Sequence, residues 1–175
     1  MSARFSKDLH KVQVSYRYSF YGSTGLIAPF VQHERPYPIR RLLGFVPSRT
    51  FTGLVIYARG ELPWHGKQAG ERAKPALLPR LLDENTEPVL TPEMCDPKFL
   101  LLWGPAAYSF SDDETPYRER IGELPLRTMA RGVFGRNATD LLLPNEAVRQ
   151  LLTRESNRRL LREARILIIL DRPER

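Results

Sequence analysis

The run Ile166-Leu167-Ile168-Ile169-Leu170 constrains the fold more than any other part of the chain. Five consecutive large aliphatic residues leave no polar face, so the run reads as a central strand covered on both sides. Leu54 to Ala58 (Leu-Val-Ile-Tyr-Ala), bounded by Gly53 and Gly60, has the β-branched and aromatic content of a second central strand. Between them, helical signals alternate with short apolar runs. The pattern predicts an α/β (α+β) fold: a mixed sheet with a largely β core, a C-terminal helical pair and a final central strand.

Other elements are read from period and punctuation. Val12, Val14, Tyr16, Tyr18 and Phe20 alternate with polar residues from Lys11 onward, which predicts a long half-buried strand. From Gly22 to Thr52 prolines and glycines break every candidate element. That segment keeps Leu26, Ile27, Phe30, Val31, Leu42, Leu43, Phe45 and Phe51, so it is expected to wrap the domain and cover apolar surface. Glu61 to Lys74 reads as a polar loop. Ala76 to Asp83 is interrupted by Pro79, which confines it to an edge strand or a bulge. Asp83 to Thr86 turns it into a hairpin with Val89-Leu90.

Asp96-Pro97 has the form of an N-cap and first helical residue, for a helix through Trp103 that Gly104-Pro105 ends. Ala106 to Phe110, Leu126 to Phe134 and Asp140 to Leu143 are strand candidates. Asn145 is the expected cap of a helix to about Thr153, with Val148, Leu151 and Leu152 inward. Ser156 is the expected cap of a second, with Leu160, Leu161 and Ala164 inward. The whole of 1–175 reads as one domain.

Composition agrees with a packed domain: 42% hydrophobic and 27% charged residues lie far from the profile of disorder. The 15 prolines exceed the usual share of about 5%, which favours long, stiff Pro/Gly-rich connections. No apolar run approaches the 18 or so residues of a membrane-spanning helix. Residues Met1 to Leu9 lack the apolar core and small-residue cleavage site of a signal peptide. The net charge of +7 is compatible with nucleic acid, anionic lipid, an acidic protein or a plain solvated surface.

Residues able to do chemistry are sparse. Cys95 is the single cysteine, so an intrachain disulfide and a thiolate metal cluster are both excluded. His10, His33 and His65 are too far apart for a helical metal pair. Nucleophile elbows, phosphate loops and dinucleotide fingerprints do not occur, and no cofactor is expected. Asp112, Asp113 and Glu114 offer paired carboxylates for a hydrolase, or else a solvated acidic turn; a consecutive run does not place two carboxylates across a substrate, so the turn is preferred.

Arg154, Arg158 and Arg162 are spaced i, i+4, which predicts one basic helical face. Such a face could track phosphates in a cytoplasmic nucleic-acid-binding module. The interspersed Glu155 and Glu163, and the lack of aromatic neighbours, favour a solvated or protein-contacting face, with no specific nucleic acid as partner. Trp64-His65 sits in a Gly/Pro-rich loop, with the indole either tucked onto the core or exposed to a partner, the former preferred. Trp64, His65, Arg154, Arg158 and Arg162 are therefore the candidate partner contacts.

Several motifs fall in the order of a known family. Thr52 to Gly60 (TGLVIYARG), followed by Lys74 to Glu84 (KPALLPRLLDE), resembles the "TGLVIDARG…KPAL-P-ILDE" stretch of FlgP-like, LPP-type envelope proteins. Phe20-Tyr21-Gly22, Arg120 to Leu126, Thr139 to Ala147 and Arg165 to Asp171 are similar to further segments of that family, so the likeness spans roughly 11 to 171. Tyr57 stands where the family pattern has Asp, and Glu61 to Arg72 looks like an insertion. The resemblance implies a non-enzymatic structural or assembly role in the bacterial envelope, linked to the flagellum. Its implied partners are envelope or flagellar proteins, or further copies of the chain. It also implies that the chain is the C-terminal part of a longer envelope protein, in the envelope or periplasm if a signal peptide lies upstream, and in the cytoplasm otherwise.

Overall fold

A computed structural model describes residues 2–5, 7, 10–44 and 47–172. The chain opens with an antiparallel hairpin of β1 (Ser2–Phe5) and β2 (Val12–Ser15). The expected half-buried strand from Lys11 to Phe20 is corrected here. β2 is four residues long and exposed throughout, and Tyr16, Tyr18 and Phe20 are exposed beyond it. Alternation shows that one face is apolar; it does not show that the face is covered, and Val12 and Val14 are 56% and 40% exposed on it.

Residues 22–52 wrap the domain as expected. Ile27, Ile39 and Phe51 are buried and Val31 and Leu42 half-buried, whereas Leu26, Phe30 and Leu43 remain exposed; Phe45 lies outside the described residues. The wrap is pinned at intervals. The Gly22 amide donates to the Leu101 carbonyl, the Tyr37 amide to Glu93, and the Arg40 guanidinium to the Asp83 carboxylate at 2.8 Å.

The centre is a four-stranded parallel sheet. Its members are β3 (Leu54–Ala58), β8 (Ala107–Ser109), β9 (Leu126–Met129) and β12 (Ile166–Leu170), in the order β8-β12-β3-β9. β12 pairs with β3 and β8 and is buried at every position, as its composition demands. Ile166, Ile168 and Leu170 face the main core, while Leu167 and Ile169 join Val55 and Ile121 in a smaller cluster. Helix α2 (Arg118–Ile121) lies on that smaller side. Gly53, at the entry to β3, touches the backbone of Ile121, and a Cβ there would collide with it.

After β3 the chain forms a small hairpin of β4 (Glu61–Pro63) and β5 (Gly70–Arg72), so the expected polar loop is partly sheet. A second four-stranded sheet runs β10-β11-β6-β7, from β6 (Leu81–Asp83), β7 (Pro88–Leu90), β10 (Gly132–Phe134) and β11 (Asp140–Leu143). The β6–β7 hairpin forms with a register shift at Leu81/Leu82. β6 is nevertheless an interior strand, not an edge: it begins two residues after Pro79, so the missing amide lies outside the ladder. The single strand expected over Leu126 to Phe134 is two strands. The chain leaves the parallel sheet at Met129 and enters the second sheet at Gly132.

Helix α1 (Pro97–Trp103) has Asp96 as its cap, accepting from the Lys98 amide, and ends at Gly104 with φ 73°. The Tyr21 ring fills the space beside Gly104 where a side chain would stand. Helices α3 (Asn145–Thr153) and α4 (Glu155–Arg162) pack against the core through Val148, Leu151, Leu152, Leu160 and Leu161. Their caps differ from expectation. Asn145 is already helical and its amide side chain donates to Glu84, with Pro144 in the capping position; Ser156 lies inside α4 behind Arg154. Among the described residues no helix is long and apolar enough to cross a membrane.

Candidate functional site

The carboxylates of the acidic turn are each bonded to a different partner. Strand alternation directs Tyr57 and Arg127 to the smaller side of the parallel sheet, where both meet Glu114. The Tyr57 hydroxyl donates to it at 3.0 Å, and Arg127 donates through Nε at 2.9 Å and Nη2 at 2.7 Å. The arginine holds the Glu114 carboxyl below its ordinary range, while burial and Glu114 push the Tyr57 phenol up. Asp112 pairs with Arg59 at 2.9 Å, and Asp113 accepts from the Thr115 amide at the start of a single 3-10 turn. A polar cavity of about 200 Å³ lies among them. A carboxylate held low by an arginine is a weak general base near neutrality.

Trp64 is tucked, as preferred. Its indole Nε1 donates to the Gly135 carbonyl at 2.9 Å, and its backbone bridges Val133 of β10. Lys67 places its ammonium 3.2 Å from the ring centroid. His65 is exposed, with its ring 5.5 Å from that of Phe134. The pair thus joins the β4–β5 hairpin to the second sheet.

Arg154, Arg158 and Arg162 are not brought together as one exposed face. Arg154 is the extended residue between α3 and α4, with ψ 140°. Arg158 is buried and donates to the carbonyls of Leu152 and Thr153 at 2.6 and 3.2 Å, satisfying the C-terminal end of α3. Arg162 and Arg158 share the carboxylate of Glu155, which both draw below its ordinary range.

Two buried polar residues escaped the reading of the sequence. Arg120 donates to the carbonyls of Ala164, Trp103 and Gly104 at 2.8, 2.8 and 2.6 Å, so one guanidinium joins the end of α1 to the turn before β12. Burial lowers it to about 10. Asn157 is fully buried. Its oxygen accepts from the Phe51 amide, and its nitrogen donates to the carbonyls of Arg49 and Gln150. Asn157 had an advance signal, its place three and four residues before Leu160 and Leu161 on the apolar face of α4; Arg120, in the charged run Arg118 to Ile121, had none. Cys95 is buried too, and burial pushes its thiol up to about 12.

Two further cavities are open. One of about 350 Å³ is lined by Glu71, Lys74, Phe110 and Asp171. One of about 580 Å³ lies between Tyr21 and α1, lined by Lys98, Leu101 and Leu102. Residues 53–172 match the family described as Treponema pallidum Tp0624, second domain. The matched span holds both four-stranded sheets and helices α1 to α4, and leaves the N-terminal hairpin and the wrap outside it. No curated protein matches the chain.

Proposed function

From the premise that the chain belongs to the family of the second domain of Treponema pallidum Tp0624, we propose that it serves as a non-enzymatic structural or assembly component of the bacterial cell envelope, linked to the flagellum. The observation that carries this reading is the use made of its charged groups. Glu114, Asp83, Asp140, Arg120 and Arg158 each hold one part of the fold to another through buried or half-buried bonds, that of Glu114 being to the Tyr57 hydroxyl. Side chains committed in this way build a scaffold; displacing them for a substrate would cost the fold its pins. The envelope and flagellar part of the reading rests on the resemblance of Thr52 to Gly60 and Lys74 to Glu84 to FlgP-like proteins. Envelope and flagellar proteins are the partners it implies.

Deleting the gene in the source organism should impair motility or envelope assembly, and the protein should fractionate with the envelope. Asp112→Ala and Asp113→Ala, placed back in the deletion strain, should restore the phenotype. A soluble cytoplasmic distribution with normal motility in the deletion strain would overturn the proposal.

A further inference from the structure

β2 offers an apolar face and a free edge together. Val12, Val14, Tyr16, Tyr18 and Phe20 are exposed, and the rings of Tyr16 and Tyr18 lie 6.3 Å apart. β1 is the one strand paired with β2 among the described residues, so the opposite edge of β2 presents unpaired amides and carbonyls. The segment is also basic: residues 1–33 carry four Lys or Arg against one acid.

A complementary surface lies elsewhere on the same molecule. β9 is an edge of the parallel sheet, with β3 its only described neighbour. Leu124, two residues before it, and Met129, its last residue, are 60% and 71% exposed. Residues 111–129 carry five acids against three arginines, of which Arg120 is turned into the interior; Arg127 pairs with Glu114, Arg118 with Glu123, and Arg59 with Asp112, so the acidic excess rests on Asp113 and Glu119. Asp112, Asp113, Glu119 and Glu123 are exposed there.

We infer that the N-terminal hairpin of one copy docks along the β9 edge of a second copy, extending its parallel sheet and laying the Tyr16–Tyr18 stripe over Leu124 and Met129. The inference goes beyond the proposed function and is independent of cellular compartment. Three observations select this occupant. The period-two stripe and the free edge suit a sheet, whereas a lipid surface would leave the edge unpaired. Basic arm against basic arm repels, which disfavours a two-fold contact between hairpins. The arm and the β9 corner carry net charges of opposite sign. Such a contact joins two different surfaces, so each copy retains one free arm and one free edge, and assembly proceeds to rings or filaments.

Sedimentation of the full chain at low ionic strength tests this. The mass should rise above one copy with concentration and fall back as salt screens the charges. Tyr16→Ala with Tyr18→Ala should sediment as single copies with an unchanged melting temperature, since both side chains are exposed. Arg4→Glu with Arg17→Glu, and separately Glu119→Lys with Glu123→Lys, should each remain single copies alone and associate when mixed, because the exchange restores opposite charges across the contact. A wild-type chain that stays monomeric at every concentration would overturn the inference, and binding of that monomer to phosphatidylglycerol vesicles would assign the arm to lipid instead. Association that the charge reversals leave unchanged, or reversed variants that fail to associate on mixing, would also overturn it.

Discussion

Ile168 lies in parallel register between Ile56 of β3 and Tyr108 of β8, and is 1% exposed. Truncating it to Ala removes three methyl or methylene groups from a site walled on all sides, so Ile168→Ala should cost about 2–5 kcal/mol, read as a lowered denaturant midpoint. Asn157 makes a different kind of contribution. Asn157→Ala would leave the buried Phe51 amide without its acceptor and should cost about 1–3 kcal/mol. Cys95, with its thiol raised to about 12 and no exposed surface, should react with a thiol reagent only as fast as the protein opens; rapid labelling under native conditions would show that the site is accessible. Ile168 was legible in advance because composition alone demands cover for it. Arg158 was not: i, i+4 spacing places three arginines on one face only if one helix holds all three, and the chain breaks at Arg154. The unsatisfied carbonyls at the end of α3 were the signal that a donor had to come from nearby.

Elements whose ends carry specific chemistry were read closely. The Asp96-Pro97 start and Gly104 stop of α1 stand where the sequence placed them, because a cap and a positive-φ stop are local requirements. Elements defined by their neighbours were not. The crossing from β9 to β10 has no local mark beyond Gly132, and the exposure of β2 depends on which surfaces the rest of the chain supplies. The β6–β7 turn illustrates a local device with a measurable consequence. Asp83 accepts from the Asn85 and Glu87 amides and pairs with Arg40. Burial raises its carboxyl, but Arg40 and the two amides together outweigh burial and hold it below the ordinary value. A depressed folded-state value means that the stabilisation is complete above the ordinary carboxylate pKa of about 4 and is lost as pH falls through the lower, folded value. Denaturant midpoints of the wild type should therefore decline with acid below about pH 4. Asp83→Asn should be less stable at pH 7 and show a shallower decline; an identical acid profile would remove Asp83 from the account.

At the scale of the whole molecule Arg120 and Arg158 are inside the protein, and Arg40, Arg59, Arg80, Arg127 and Arg162 are each paired with a carboxylate, so these arginines supply no free basic face. Labelled duplex or single-stranded DNA should accordingly bind weakly and without sequence preference, at about 10⁻⁴–10⁻⁶ M at physiological salt. Nanomolar, sequence-selective binding lost on changing Arg154 and Arg162 would restore a nucleic-acid role. The strand order β8-β12-β3-β9 has a consequence for biosynthesis. β3 and β8 are made early, yet neither is the other's neighbour: the slot between them belongs to β12, which leaves the ribosome after both. While translation proceeds, the edges of β3 and β8 that flank the slot stay unpaired, and the nascent chain must be shielded until β12 slides into place. Ribosome-bound chains stopped before Ile166 should be digested by protease far faster than chains released after Leu170.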